Sequence, residues 1–433
     1  MAYPFLTHEI LRRSPADLPF VAPTTLHPAR AGWVNHGIRL YQEAFGEADY
    51  LRYSREQFGL PLPPDGPEGR KALRGIARKL ALGFALNGFK VGRRSTHMPG
   101  VGATGTLTVL SNPALPENDF FVPGRRFPIR LRHSNAAFID DAGVVPRGCA
   151  LKFTDAPTGG PLDLVFNSGI AGEIFFDARN FWDFTMARLK VTPTDWTSQQ
   201  EYLRRYPAAF IGAIDAHREA PSSYADVMYA SKIVMGFRAR DGRRRFMRYR
   251  LHRPDLERES GLLSEARQRQ IWFMLRNPDD DRPRDYLRSE FVERVRRGGV
   301  TYVLQMQLLE WDDARHTHEV FSAARAWDEV AHPWHDIARV ELTTPMTTAD
   351  TEATQASITT HPPCLGVPDA AHPSDPRSLA WIRTQVYPLH HLARRIRWLL
   401  GLAPVRFPAK DEMIEFGPGG RATGPLPSVG ASR

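Results

Sequence analysis

Eight short stretches that read as strands, several of them alternating apolar and polar residues and most bounded by turn formers, constrain this chain more than any other feature. They run over 106–111, 127–132, 147–153, 162–167, 228–238, 244–251, 300–311 and 337–343. Alternation with period two puts one set of side chains on each face of a strand. Asp241-Gly242 between the fifth and sixth runs is a hairpin turn. Helical periodicity lies outside or between them, over 34–58, 68–86, much of 174–220, 264–275 and 284–297. A last helix is marked by Leu389, Leu392, Ala393, Ile396, Leu399 and Leu400. The pattern predicts an α+β chain: one antiparallel β-barrel of about eight strands decorated with helices. The expected division is an arm with helices over 1–90, the barrel with inserted helices over 91–345, a loop and helix over 346–405, and a Gly/Pro/Ser-rich tail over 406–433, all within one structural domain.

Composition excludes several classes. Two cysteines, Cys149 and Cys364, rule out a disulfide scaffold or a cysteine-rich zinc site and fit a reducing compartment. The N-terminus has no basic segment followed by an apolar run, and no window approaches the roughly 20 apolar residues of a membrane span. A cytoplasmic protein without a transmembrane segment is expected. The net charge of +9 comes mostly from arginine. Much of it falls on one hairpin, at Arg238, Arg240, Arg243, Arg244, Arg245, Arg248, Arg250 and Arg253. A nucleic-acid surface would interleave aromatic stacking platforms, and only Phe246 and Tyr249 are there. The hairpin therefore reads as a solvated strand face, with attraction for fatty-acid carboxylates or anionic membranes as a second reading and no nucleic-acid partner. His316-Thr317-His318 lacks the companions of a metal site and reads as surface.

The chemistry gathers in two distant places. Arg94 to Val109 puts a cation and His97 just before Gly100, Gly102 and Gly105, where backbone can come close to something flat or bulky. Near the other end stands Arg383-Thr384-Gln385-Val386-Tyr387. Between them, in order, come Arg132 with Ser134, Arg147-Gly148, and Asp163-Leu164-Val165-Phe166-Asn167. Together these resemble the haem-binding domain of the catalase family over roughly residues 90 to 400. Arg132-His133-Ser134-Asn135, Asp140-Asp141-Ala142-Gly143 and Ala150-Leu151-Lys152-Phe153 resemble the catalase-related allene oxide synthases.

The resemblance implies haem b buried between a catalase-like eight-stranded barrel and the C-terminal helix. Tyr387 would be the iron ligand, held as phenolate with help from Arg383 one helical turn before it. His97 would be the distal base and Asn167 the distal amide. Ser134 would join them, Arg94, Arg132 and Arg394 would hold the propionates, and Phe181 or a neighbour would pack on the porphyrin. Arg395 and Arg397 are alternatives for the last propionate position. Thr96 stands where catalases carry valine. Its hydroxyl would compete for the imidazole lone pair and favour homolytic O–O cleavage of a lipid hydroperoxide over reaction with hydrogen peroxide. The implied activity is a haem-dependent fatty-acid hydroperoxide dehydratase, a lyase of oxylipin metabolism. Its partners would be a lipid hydroperoxide and a separate lipoxygenase that supplies it, with homo-oligomers open. The alternatives are a hydroperoxide lyase or organic-peroxide-dependent peroxidase on the same fold, a catalase, and a non-catalytic haem-binding sensor.

Overall fold

The structure, a computed structural model, describes residues 28–46, 62–92, 94–136, 140–169, 172–192, 194–311, 318–324 and 326–402. The expected arm before 28, residues 47–58 of the expected first helix, the pair His316-Thr317 and the tail beyond 402 lie outside the described residues. Helices α1 (Pro28–Phe45) and α2 (Pro67–Val91) precede the strands β1 (Gly100–Val109), β2 (Arg126–Asn135), β3 (Val144–Lys152) and β4 (Asp163–Ser168). Then come α3 (Ala178–Arg188), α4 (Thr197–Arg205) and α5 (Pro207–Ala216), followed by β5 (His217–Glu219), β6 (Tyr229–Ala230), β7 (Met235–Arg238) and β8 (Arg244–His252). The short α6 (Glu265–Arg269) and α7 (Tyr286–Gly298) lead to β9 (Val300–Glu310), α8 (His318–Phe321) and β10 (His335–Pro345). The described chain closes with α9 (Thr348–Ala353), β11 (Leu365–Gly366) and α10 (Ser378–Leu399).

Eight strands form a closed antiparallel barrel in the order β8-β6-β4-β3-β2-β1-β10-β9, because β8 pairs with β9 as well as β6. Closure leaves no barrel edge open. The interior is filled by one face of each strand, with Leu107, Ile129, Leu131, Leu151, Phe166, Tyr249, Tyr302 and Val340 all buried. Each such side chain contributes roughly 1.5–3 kcal/mol by leaving water. The alternating runs thus become barrel strands, with small differences at their ends. β1 begins at Gly100, before the alternation is visible, because the glycines there carry no side chain to alternate.

Outside the barrel, α2 starts with Pro67 and ends at Gly92, in the left-handed region at φ 69, whose N–H bonds Gly88 O. Its apolar stripe of Leu73, Ala77 and Leu80 packs against Ile382 and Val386 of α10. The helix expected near Leu389 begins earlier, at Ser378, and carries Pro388 in its interior. Packing against α2 holds it together across the hydrogen bond that Pro388 cannot donate. The helix expected over 264–275 is only the five residues of α6.

The basic hairpin is not a bare solvated face. Arg244, Arg248 and Arg250 stand over the rings of Trp311, Trp327 and Trp334 at 4.6, 4.9 and 4.4 Å. Arg245 pairs with Asp241 and Glu310, and Arg253 with Asp226 and Asp255. Asp241 and Asp255 are local partners, whereas Glu310 and the three tryptophans come from β9 and the segment after it, brought over β8 because β8 pairs with β9.

Asp141 supplies a cap from outside its own helix. It accepts from Leu287 N at 3.0 Å and Arg288 N at 3.2 Å, the first free N–H groups of α7, and pairs with the Arg288 side chain. It also accepts from Asn135 Nδ2 at 2.8 Å at the end of β2, tying α7 to the barrel. Asp141→Ala is expected to cost roughly 3 kcal/mol, since it removes a cap together with the carboxylate that pairs with the part-buried Arg288. Urea unfolding at neutral pH checks it, and a loss below about 1 kcal/mol would contradict this account.

Candidate active site

The side of strands β1 to β4 turned away from the barrel interior is lined by small residues. Gly100 pairs with Ser134 and Gly102 with Arg132 across β1 and β2. Ser134 pairs with Gly148 and Arg132 with Ala150 across β2 and β3, and Gly148 and Ala150 pair with Asn167 and Val165 on β4. The alternate positions, Val101, Leu131, Cys149, Leu151, Leu164 and Phe166, belong to the barrel core. Period-two alternation therefore sets Ser134, Gly148 and Asn167 in a row on one floor, with Arg132 beside them.

His97 lies on that floor. Its backbone is left-handed, at φ 60, and its N–H bonds Ala136 O at 3.1 Å. A non-glycine residue in this region carries strain of order 1–2 kcal/mol, which such sites tolerate for placement. The ring covers Gly148, where a Cβ would come within 2.4 Å of Nδ1, so only glycine fits beneath it. Ser134 Oγ lies 3.2 Å from the same nitrogen. Burial, followed by the charges of Arg132, Arg383 and Arg94, pushes the imidazole down to about 3. Thr96 is exposed, and the hydroxyl that meets the ring is that of Ser134. Asn167 gives one N–H of Nδ2 to Glu173 Oε2 at 2.9 Å, which leaves its Oδ1 and second N–H available.

Beside the floor is a cluster of cations. Glu352 Oε1 lies 2.8 Å from Arg132 Nη2 and its Oε2 lies 2.9 Å from Arg94 Nη1, while Arg394 Nη2 donates to Glu352 O at 3.0 Å. Gly100 makes room for the cluster: a Cβ there would meet Arg132 Cζ at 2.3 Å. The flat group approached by this glycine is a guanidinium. Gly102 and Gly105 instead admit Met346 and the backbone of Glu341. Burial alone would raise the Glu352 carboxyl; Arg132 and Arg94 outweigh it and hold the group down at about 2. Burial and the neighbouring cations depress Arg94.

α10 carries the remaining site residues. Tyr387 is partly buried and packs against both the barrel core and the α2–α10 cluster, and its ring stacks with that of His391 at 6.3 Å. Arg383, one turn earlier, acts electrostatically on His97 and on the buried Tyr249, which Tyr387 also influences. His390 approaches Ser95 Oγ at 3.3 Å. Phe181 bridges α3 and α2, stacked at 6.3 Å on Phe84 and at 4.5 Å from Phe175. The structure thus brings His97, Ser134, Asn167 and Arg132 onto one floor, with Arg94 and Arg394 beside it.

Two acids in these contacts escaped the sequence reading. Glu173 precedes an aromatic run and shows no periodicity. Glu352 is on α9, whose start carried a legible signal: Thr347 Oγ1 accepts from Asp350 N at 3.0 Å and donates to the Asp350 carboxylate.

The donor set fits a haem. Arg94 and Arg132 share the Glu352 carboxylate, Arg394 bonds the backbone carbonyl of the same residue, and Arg394 Nε and Nη1 are buried with no partner among the described residues, so three guanidiniums stand beside one carboxylate. That excess of two positive charges matches the two propionates of a porphyrin. A Glu352 carboxyl held at about 2 against 4.5 stabilises the fold above pH 4.5, and this contribution is lost as pH falls toward 2. Glu352→Gln is expected to cost roughly 3 kcal/mol at pH 7 and far less near pH 2, measured by urea unfolding. An equal loss at both pH values would contradict the ion-pair account.

No family model matches the chain. The allene oxide synthase-lipoxygenase protein of Plexaura homomalla is 37% identical over 370 residues, covering 82% of this chain and 33% of that protein. The linolenate 9R-lipoxygenase of a Nostoc species is 30% identical over 272 residues, covering 60% of this chain and 32% of that protein. The chain thus spans about a third of the length of these two relatives. Among solved structures, catalase A from Saccharomyces cerevisiae aligns with TM-score 0.56 and 19% identity over 72% of this chain and 64% of its own. A fungal catalase aligns with TM-score 0.55 and 18% identity over 76% and 65%. The barrel has the fold of the catalases, and over 82% of its length the chain is similar to part of the Plexaura allene oxide synthase-lipoxygenase protein, which is consistent with the allene oxide synthase branch of the catalase-related proteins.

Proposed function

We propose that the chain is a haem-dependent dehydratase that converts a polyunsaturated fatty-acid hydroperoxide to an allene oxide. The observation that carries the reading is the doubly positive arginine cluster beside the His97 floor, together with the Plexaura relative's name. In this reading Arg94, Arg132 and Arg394 hold the two propionates of haem b, and Tyr387 ligates the iron as phenolate beside Arg383. When bound, the haem supplies a ferric centre that cleaves an O–O bond by one-electron chemistry.

The reaction removes water: one oxygen of the hydroperoxide leaves with two protons, and one of those comes from carbon. His97, neutral throughout the physiological range, would take the hydroperoxide proton and return it to the leaving oxygen, and would then relay to the same oxygen the proton lost from carbon. Ser134 engages Nδ1 and leaves Nε2 for that exchange. Asn167 offers Oδ1 and an N–H to the oxygens while Glu173 fixes its orientation. The choice against hydrogen peroxide, which the resemblance gives to Thr96, would need its exposed hydroxyl to turn toward the ring that Ser134 already meets. A lipoxygenase is the matching source of substrate, in line with the names of both relatives.

Incubation of the haem-loaded protein with a panel of lipid hydroperoxides, beside hydrogen peroxide, tests the reading by product identification. Allene oxide or its hydrolysis products are expected. Aldehyde fragments would mean a hydroperoxide lyase, oxidised co-substrate an organic-peroxide-dependent peroxidase, and no turnover with an intact Soret band a sensor. Thr96→Val should raise oxygen release from hydrogen peroxide; if only Ser134→Ala does so, the controlling hydroxyl is that of Ser134.

The depressed His97 also predicts a pH profile. With its imidazole at about 3, turnover should stay flat from pH 8 down to 5. An acid limb centred near 6.5, removed by His97→Gln, would overturn the assignment of a neutral buried base.

A further inference from the structure

The two helices beside the proposed site turn a second, outward face to solvent. α2 and α10 meet closely at one end: Arg397 Nη1 donates to Phe89 O at 2.8 Å, and a Cβ at Gly88 would meet His390 Nε2 at 2.6 Å. At that shared end the exposed side chains are largely apolar. Leu82 and Leu86 are exposed on α2, and Leu389, Leu392, Ile396 and Leu399 follow one another at helical spacing on α10. Trp398 is 76% exposed, and Leu400 and Leu402 continue the set. Isolated exposed leucines need no explanation, but a continuous set on paired helices does.

The charges beside this apolar set are of one sign. Lys90 and Arg395 are exposed among the leucines, and Arg74, Arg78 and Lys79 are exposed farther along α2. Across both helices the only acid is Glu68, at the opposite end of α2. Apolar side chains edged by cations and free of acids complement an anionic bilayer: the leucines and Trp398 enter the acyl boundary, and the lysine and arginine groups meet lipid phosphates. No helix among the described residues is long and apolar enough to cross a membrane, so the fit is to lying on the surface.

We propose that this end of the α2–α10 pair docks the protein on an anionic lipid bilayer. The same helix holds Tyr387 nine residues before Ile396, about 14 Å along the axis. Docking sets the proposed site beside the phase in which lipid hydroperoxides collect. This use of the surface rests on the hydroperoxide reading; the binding itself does not.

Co-sedimentation of the full chain with phosphatidylcholine vesicles, with and without phosphatidylglycerol, tests it. Binding is expected on the mixed vesicles, at least roughly tenfold above phosphatidylcholine alone, and weakening with salt. Ile396→Asp with Leu399→Asp should abolish it. Arg395→Ser should weaken it several-fold, while Arg243→Ser, which removes the same charge from the β7–β8 turn, should leave it unchanged. Four results would overturn the proposal: no preference for the anionic vesicles, an equal loss with Arg243→Ser, a dimer dissociated by the Ile396 and Leu399 variants, or Trp398 shielded from acrylamide in the dilute protein. The last two assign the face to a second copy or to the chain itself. Turnover of a hydroperoxide without vesicles, read on the Ile396 and Leu399 variants and on Arg243→Ser, should be unchanged, so loss of docking and failure of the enzymatic reading give different results.

Discussion

Three guanidinium groups gathered in a buried place around one carboxylate are the interaction on which the site depends. Arg94 lies before β1, Arg132 on β2 and Arg394 on α10, so the cluster draws together both ends of the described chain through Glu352 on α9. Like charges held this close repel strongly in a medium of low dielectric. Only a counter-charge makes the arrangement stable, and the protein supplies one where three cations stand. The positive remainder bears on His97 as well, since Arg132 and Arg94 disfavour its protonated form. One electrostatic arrangement thus shapes a seat for a dianion and a base that stays neutral.

The barrel makes this arrangement possible by separating its two faces. Leu131 and His133 face inward while Arg132 and Ser134, one residue away in each case, face the site. His133 shows what the inward face does to an imidazole: it stacks on Tyr224 at 5.2 Å and 3°, with Nε2 2.9 Å from the Tyr302 hydroxyl. His97 and His133 are both depressed by burial, but His133 is closed in by aromatic rings and its partner is structural. The same residue type packs a core on one side and offers chemistry on the other.

Much of the fold was legible because a barrel strand announces itself by alternation. β2, β3, β4, β8, β9 and β10 lie within a few residues of their expected bounds. β6 was not separable from β7, since a two-residue rung leaves no period to detect. The start of α10 was hidden behind Pro388, a residue that ordinarily ends a helix, and only its packing on α2 reveals the continuation. His97, Arg132, Ser134 and Asn167, which share one floor, were singled out by the order of their motifs rather than by any one of them; the roles given to them and to Arg383 and Tyr387 belong to the proposal. Glu173 and Glu352 were not, because each acts through a contact with a residue distant in sequence or on another element. Gly148 was visible as a glycine, but the ring lying over it is a property of the tertiary structure.

The two-residue strand β6 has a consequence for how the barrel breathes. Among the described residues the ladder between β4 and β8 runs through two residues, Tyr229 and Ala230, helped by the Tyr249 hydroxyl on Val165 and by Ser231, whereas the neighbouring ladders run for five or more residues. A seam this short has the fewest rungs to hold it shut, so amide protons there should exchange with solvent ahead of the other staves. Asn167 is one of the two residues of β4 on that seam. Small openings of the barrel wall therefore reach the floor of the site at its amide first, and leave the arginine end undisturbed.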